Sequence, residues 1–147
     1  MPCLTLSCTA AGPTVSVAIA PSALLRDAMM AAGVQPPQPV IGTFLVDTGA
    51  SHTVVDSKLI AQLGVNPTGA VMVHTPSTAG SAVLMPQYDL MLFVPGVAGS
   101  GGWLLDGLQV TAAVFDGQPI DGLIGRDILD RGMLVYNGQA NHFTLAY

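Results

Sequence analysis

Five consecutive residues have the side chains best suited to chemistry in this chain of 147 residues, namely Asp47, Thr48, Gly49, Ala50 and Ser51. They directly follow the apolar run T-F-L-V, so we expect the carboxylate of Asp47 at the mouth of a hydrophobic core. A carboxylate held there can act as a general base on a water molecule. Because aspartate and glycine are also common turn residues, a plain turn after the strand is the alternative interpretation.

Short runs of β-branched and aliphatic residues between Gly and Pro predict a mostly antiparallel β structure around these residues. At this length one compact core is expected, so we predict a single domain over residues 1–147. Helices are predicted at residues 57–63, at 126–131 and at 22–32, where the N-capping serine is the first residue. The predicted strands cover residues 3–7, 14–20, 41–46, 53–55, 70–75, 82–94, 108–115, 134–136 and 142–147.

The charge composition excludes some classes of partner. Charged residues make up 9% of the chain, glutamate is absent and the net charge is -5, so no basic face is expected to bind nucleic acid. Polar or glycine residues interrupt every apolar stretch before the roughly 18 residues that a membrane span needs. The N-terminal stretch lacks the basic residues of a signal peptide. These features predict a cytoplasmic protein with no membrane partner.

Metal and redox chemistry have little support in the sequence. Cys3 and Cys8 are too few for a disulfide framework, and we expect both to be reduced structural residues. No group of Cys and His has the spacing of a zinc site. The aspartates at 121, 127 and 130 lack the spacing of a calcium loop. We therefore expect neither a metal nor a cofactor.

Four motifs that follow one another along the chain resemble those of the retropepsins, the single-domain aspartic proteases of retroviruses and their cellular and bacterial relatives. They are D-T-G-A-S at 47–51, Q-Y-D at 87–89, L-I-G-R-D at 123–127 and F-T-L-A-Y at 143–147. An ordered set of this kind is more specific than any one short motif. The resemblance implies a closed barrel of antiparallel strands with a flap hairpin and one or two short helices.

The resemblance also implies a function. Retropepsins are aspartic endopeptidases that activate a water molecule between two aspartates, and this chain has no second D-T-G or D-S-G. Both carboxylates would therefore be Asp47, contributed by the two chains of a homodimer that cleaves polypeptide substrates. Thr48 would link the two active-site loops, and Gly49 would let the substrate backbone approach. The alternative is a dimer of the same fold that binds peptides or scaffolds an assembly with little or no hydrolysis.

Other residues receive a role through the same resemblance. The hairpin at about 71–88 would be the flap. The residues that support the active site would be Ala50, Ser51, Gly125 and Arg126. The substrate-binding residues would be Thr78, Ala79 and Gly80 at the flap tip and Ile120, Leu123 and Ile124 in the side-chain pockets. An ordinary flexible loop is the alternative for the first three, and plain core packing is the alternative for the last three.

Two departures from the retroviral pattern leave questions open. Residues 21–40 have no counterpart in the minimal retroviral enzymes, so we interpret them as an inserted segment. Ser51 stands where those enzymes usually carry an acid that pairs with the arginine of the G-R motif. The partner of Arg126 is therefore open, and a solvated surface position is its alternative. The resemblance further implies that the terminal strands of two protomers interleave into one sheet.

Overall fold

In the computed structural model, which describes residues 1–74, 80–97 and 101–147, the chain forms two β-sheets and three helices. The helices are α1 (Ala23–Ala31), α2 (Ser57–Leu63) and α3 (Arg126–Leu129). The strands are β1 (Cys3–Ser7), β2 (Thr14–Pro21), β3 (Val40–Val46), β4 (Val54–Asp56), β5 (Gly69–Val73), β6 (Val83–Val94), β7 (Trp103–Ala113), β8 (Gly122–Ile124), β9 (Met133–Asn137) and β10 (His142–Ala146).

Six strands close into a barrel in the order β2-β3-β8-β4-β7-β6, because β6 pairs back onto β2. The strand β5 belongs to the same sheet and pairs with β6, but it is not part of this ring. Closure leaves these six strands without a free edge. The mostly β closed barrel expected from the sequence is confirmed, although two of its pairings, β3 with β8 and β4 with β7, are parallel.

Alternate side chains along the strands fill the barrel. Val17, Ile19, Phe44, Leu90 and Leu92 have no exposed surface. Burying an aliphatic or aromatic side chain of this size contributes about 1.5–3 kcal/mol, so this interior is a main source of stability. Inward and outward residues alternate along β3, and Asp47 follows directly after the last residue of the strand.

The strand β8 lies between β3 and β4 and was missed by the sequence prediction. Its three residues are too few to show a periodic pattern. Gly122 is needed there because a Cβ atom at this position would lie 2.5 Å from the carbonyl oxygen of Val54. The strand ends at Ile124 beside Val46, so it delivers the L-I-G-R-D segment to the end of β3.

The strand β7 starts five residues earlier than predicted. The prediction began at residue 108 because Asp106 and Gly107 interrupt the alternation of apolar and polar residues. The pairing with β6 shifts register there: Leu90 faces Leu108, whereas Leu92 faces Leu105. Gly107 has φ +64°, a backbone that glycine adopts without a steric penalty. The interruption is therefore a β-bulge inside one continuous strand.

The second sheet joins the two chain ends in the order β1-β10-β9. Leu4, Phe143 and Leu145 on its inner face are buried in the main core. Its central strand β10 pairs with β1 on one side and β9 on the other, both within the same chain. Within the chain, the C-terminal strand therefore pairs with the N-terminal strand, and the interleaving between protomers that the resemblance implies stays a prediction.

Residues 21–40, which were predicted to be an inserted segment, include α1 between β2 and β3. The hydroxyl of Ser22 caps the helix by accepting the N–H of Leu25, and Asp106 on β7 accepts the N–H of Ala23 at 2.9 Å. The helix has no buried residue, and Leu24 is 82% exposed. Over the described residues, none of the helices is both long and apolar enough to cross a membrane.

Candidate active site

The carboxylate of Asp47 lies directly after β3, at the end of the barrel where β8 also ends. The N–H of Asp47 donates to the carbonyl oxygen of Ile124 at 3.0 Å, which ties the start of the loop to β8. Its Oδ1 accepts the N–H of Gly49 at 2.8 Å, and its carbonyl oxygen accepts the N–H of Ala50 at 3.2 Å. A tight turn therefore fixes the direction of the carboxylate.

Thr48 and Gly49 are both exposed beside this half-buried aspartate. A Cβ atom on residue 49 would lie 3.0 Å from Oδ1 of Asp47, closer than most real Cβ contacts. Glycine thus suits a turn in which the backbone N–H approaches the carboxylate. The two residues that follow Asp47 are therefore accessible to solvent.

The segment that follows β8 runs along the loop and bonds to it through the backbone. The N–H of Arg126 donates to the carbonyl oxygen of Ala50 at 3.0 Å, and the N–H of Asp127 donates to that of Ser51 at 3.3 Å. Gly125 permits this approach, because a Cβ atom there would lie 2.6 Å from the carbonyl oxygen of His52. The structure therefore brings together Ala50, Ser51, Gly125 and Arg126, and their role in supporting the active site stays a prediction.

The guanidinium of Arg126 has a partner that the sequence left open. Its Nη1 donates to the carbonyl oxygen of Thr48 at 2.8 Å and lies 3.4 Å from that of Gly49. Arg126 is exposed, but its head group bonds to the active-site loop rather than only to solvent.

Ser51 contributes through two different groups. Its carbonyl oxygen receives the N–H of Asp127, and its hydroxyl lies 3.0 Å from Nδ1 of His52. In this single protomer the Asp47 carboxylate is bonded by the N–H of Gly49. Direct support of Asp47 by the Ser51 hydroxyl stays a prediction.

The sequence analysis did not identify two side chains that connect the active-site loop to the segment after β8. They are those of Thr53 and Asp127. The Asp127 carboxylate accepts the N–H of Thr53 at 3.0 Å and its hydroxyl at 2.8 Å. Thr53 is fully buried just before β4. The signal in the sequence was weak: a threonine shortly after the D-T-G motif and an aspartate directly after the G-R pair.

The residues expected to bind substrate differ in burial. Ile124 is 1% exposed and belongs to the barrel core, which favours packing for this residue. Ile120 is 7% exposed and precedes β8, whereas Leu123 is half-buried on the opposite face of β8 from Ile124. The structure therefore leaves Leu123 as the candidate pocket residue with side-chain surface to offer.

The flap was predicted in the hairpin of β5 and β6, and this role stays a prediction. Pairing of β6 with β7 begins at Gln87, and neither β5 nor the part of β6 before Gln87 includes a buried side chain, so these arms extend beyond the barrel. Gly80 has φ +83° with no atom near its Cβ position. Thr78 and Ala79 lie outside the described residues, so their assignment to the tip stays a prediction.

Charged groups elsewhere on the described surface have simple structural roles. The Lys58 ammonium of α2 bonds to the carboxylate of Asp116, and this hydrogen bond with its Coulomb attraction raises the pKa of Lys58. Both side chains are largely exposed, so the pair contributes little to stability. Within residues 1–74, 80–97 and 101–147, no three His, Cys, Asp or Glu side chains are grouped to hold a metal ion.

Comparisons with known proteins agree on one kind of protein. A family model described as aspartyl protease matches residues 34–128. The chain is similar to a retropepsin-like aspartic protease from Rickettsia conorii, with 16% identity over 99% of this chain and 90% of that one and a TM-score of 0.57. It is also similar to the retroviral protease-like domain of Ddi1 from Leishmania major, with 17% identity over 90% and 88% of the two chains and a TM-score of 0.45. No curated protein matches the chain.

Proposed function

The chain belongs to the aspartyl protease family and has a retropepsin-like fold, and we propose from this that it is an aspartic endopeptidase acting as a homodimer. The observation that carries the proposal is the setting of Asp47. Its carboxylate ends a barrel strand, is held by the N–H of Gly49 and adjoins exposed loop residues. In this proposal residues 1–147 act as one domain, with residues 21–40 as an insertion between β2 and β3.

Two copies of Asp47 are required because one carboxyl group cannot perform both proton transfers at once. Two carboxyl groups a few ångströms apart repel each other when both are ionised, so the pair holds one proton and titrates as a unit. The ionised member takes a proton from a water molecule, and the protonated member gives its proton to the carbonyl oxygen of the substrate. Each protomer therefore supplies half of the acid–base pair.

The bond changes then follow in order. The water oxygen attacks the carbonyl carbon and forms a tetrahedral intermediate with two hydroxyl groups. When this intermediate collapses, the carboxyl group that took the proton from water gives it to the amide nitrogen, and the C–N bond breaks. The other carboxylate takes the proton of one hydroxyl group, so a carboxylic acid and an amine are released. The pair ends with one proton, as it began, so no other reactant is consumed.

The substrate in this proposal is an extended polypeptide that lies between the active-site loops and the projecting β5–β6 hairpins. Thr48 is exposed next to Asp47, where its side chain can meet the opposite protomer. Leu123 is the pocket residue with accessible side-chain surface, so an apolar substrate side chain is expected beside it. Gly80 belongs to the hairpin that would cover the peptide.

The test is digestion of a peptide library by the purified protein at several pH values, with Asp47→Asn as the matched variant. An amide has nearly the shape of a carboxylate but cannot act as the base, so this variant should fold, dimerise and cleave nothing. Cleavage by Asp47→Asn at the wild-type rate would contradict the mechanism. Peptide binding without cleavage by the wild type would favour the non-hydrolytic alternative.

A further inference from the structure

Every polar group of Thr53 is used within the protein. Its N–H donates to Oδ2 of Asp127 at 3.0 Å, and its hydroxyl donates to Oδ1 at 2.8 Å. The same hydroxyl oxygen accepts the N–H of Gly125 at 3.1 Å, and the carbonyl oxygen of Thr53 accepts the N–H of Thr111 on β7 at 3.1 Å. A fully buried residue whose three polar groups make four hydrogen bonds has one defined position.

Asp127 makes the matching set of bonds. Besides the two bonds from Thr53, its Oδ1 accepts the N–H of Ile128 at 3.0 Å. Its own N–H donates to the carbonyl oxygen of Ser51. The carboxylate thus accepts three hydrogen bonds at the start of α3, and two of them come from the residue that ends the active-site loop.

These bonds matter for Asp47 because the active-site loop, residues 47–53, is held at two points, and they form one of these two anchors. The first anchor is the bond from the N–H of Asp47 to the carbonyl oxygen of Ile124. The second anchor, six residues later, joins Thr53 to Gly125 and Asp127. The partners in both anchors lie within residues 124–127, at the end of β8 and directly after it, so they set the position of the loop backbone between them relative to the barrel.

We propose that Thr53 and Asp127 are positioning residues for Asp47. Their hydrogen bonds hold the active-site loop so that the carboxylates of two protomers can meet in the geometry that catalysis needs. Neither side chain touches the reacting atoms. This inference rests on the proposed function for its kinetic consequence, but its structural consequence, a loop held in one conformation, stands without it.

The variants Thr53→Val, Thr53→Ser and Asp127→Asn test the proposal. Valine matches threonine in shape but removes the hydroxyl, whereas serine keeps it. The asparagine amide keeps one acceptor oxygen and turns N–H groups toward donors. Asp130→Asn is the control, because Asp130 is the exposed C-cap residue of the same helix. Amide hydrogen exchange of Gly49, Ala50 and Ser51 is measured with steady-state kinetics and the thermal midpoint.

We expect faster exchange at these three amides in Thr53→Val and Asp127→Asn, with wild-type exchange in Thr53→Ser and Asp130→Asn. A misplacement of about 1 Å can cost roughly a hundredfold in rate, so kcat per folded molecule should fall by about tenfold or more while KM changes little. The serine variant should recover most of kcat.

Three outcomes would overturn the proposal. One is loop exchange in Thr53→Val and Asp127→Asn that equals the control. Another is activity loss that disappears once corrected for the unfolded fraction, which would mark a purely structural role. The third is a valine variant that is no slower than the serine variant. If the wild type cleaves no peptide at all, the proposed function fails, and the exchange data still decide whether the loop is held by this pair.

Discussion

The guanidinium of Arg126 donates a hydrogen bond to the carbonyl oxygen of Thr48 at 2.8 Å. A side chain of the short helix α3 thereby holds the backbone of the residue next to Asp47. Arginine offers several N–H groups in a fixed plane, which lets one group bond to Thr48 while the head group stays close to Gly49. The G-R pair, Gly125 and Arg126, thus links the segment after β8 to the loop that carries the Asp47 carboxylate.

Replacing Arg126 by alanine should lower kcat more than it lowers stability. A hydrogen bond from a charged donor is worth about 1.5–3 kcal/mol, and exposure places this one toward the low end of that range. We expect a kcat loss of about tenfold and a small fall in thermal midpoint. Arg131→Ala is the control, since Arg131 is also exposed but lies just after this helix and bonds to the carbonyl oxygen of Asp127. Equal effects of the two substitutions would contradict a specific role for Arg126.

Replacing Gly80 by valine should impair turnover. Residue 80 has φ +83°, and forcing a side chain to adopt such a backbone costs about 1–3 kcal/mol, more for a β-branched residue. Gly117 has φ +75° and equally open surroundings, so Gly117→Val is the matched control. Peptide kinetics should show a loss of kcat/KM in Gly80→Val alone, while calorimetry shows comparable destabilisation in both. Unchanged kinetics in Gly80→Val would remove residue 80 from the substrate-covering hairpin.

The C-terminal strand should be essential for folding as well as for any dimer. Deleting residues 142–147 removes β10, the central strand of the terminal sheet, together with the buried Phe143 and Leu145. We expect the truncated chain to be unfolded by circular dichroism, rather than a folded monomer. Phe143→Ala alone should cost about 3–5 kcal/mol in urea unfolding, while Val135→Ala, at a position 48% exposed, should cost much less. A truncated chain with native spectra would contradict this assignment.

The sequence predicted those parts of the fold that are long or carry strong local signals. Residues 3–7 and 57–63 were expected with the bounds that the structure has, because alternation and capping residues mark their ends. The three-residue strand β8 was missed, since so short a segment has no period. The early part of β7 was missed because a bulge at Gly107 breaks the alternation that identifies a strand.

Those residues of the candidate site that belong to a short motif could be predicted from the sequence. Contacts between residues that are distant in the sequence could not. The D-T-G motif and the G-R pair were identified from the sequence. The bond between Thr53 and Asp127 joins residues 74 positions apart, which no local pattern reports. The partner of Arg126 is a backbone carbonyl, and such an acceptor exists at every residue, so the sequence could not single it out.

The central claim is that one active site needs Asp47 from two chains, and mixing wild type with Asp47→Asn tests it most directly. Wild-type protein at fixed concentration is titrated with the variant, above the dimer dissociation constant and after chain exchange has been verified with labelled protein. If the carboxylates are shared, mixed dimers are inactive, and an equal amount of variant should reduce peptide cleavage to about one half. Cleavage that stays constant while the chains exchange would show that each protomer works alone, and would contradict the shared pair.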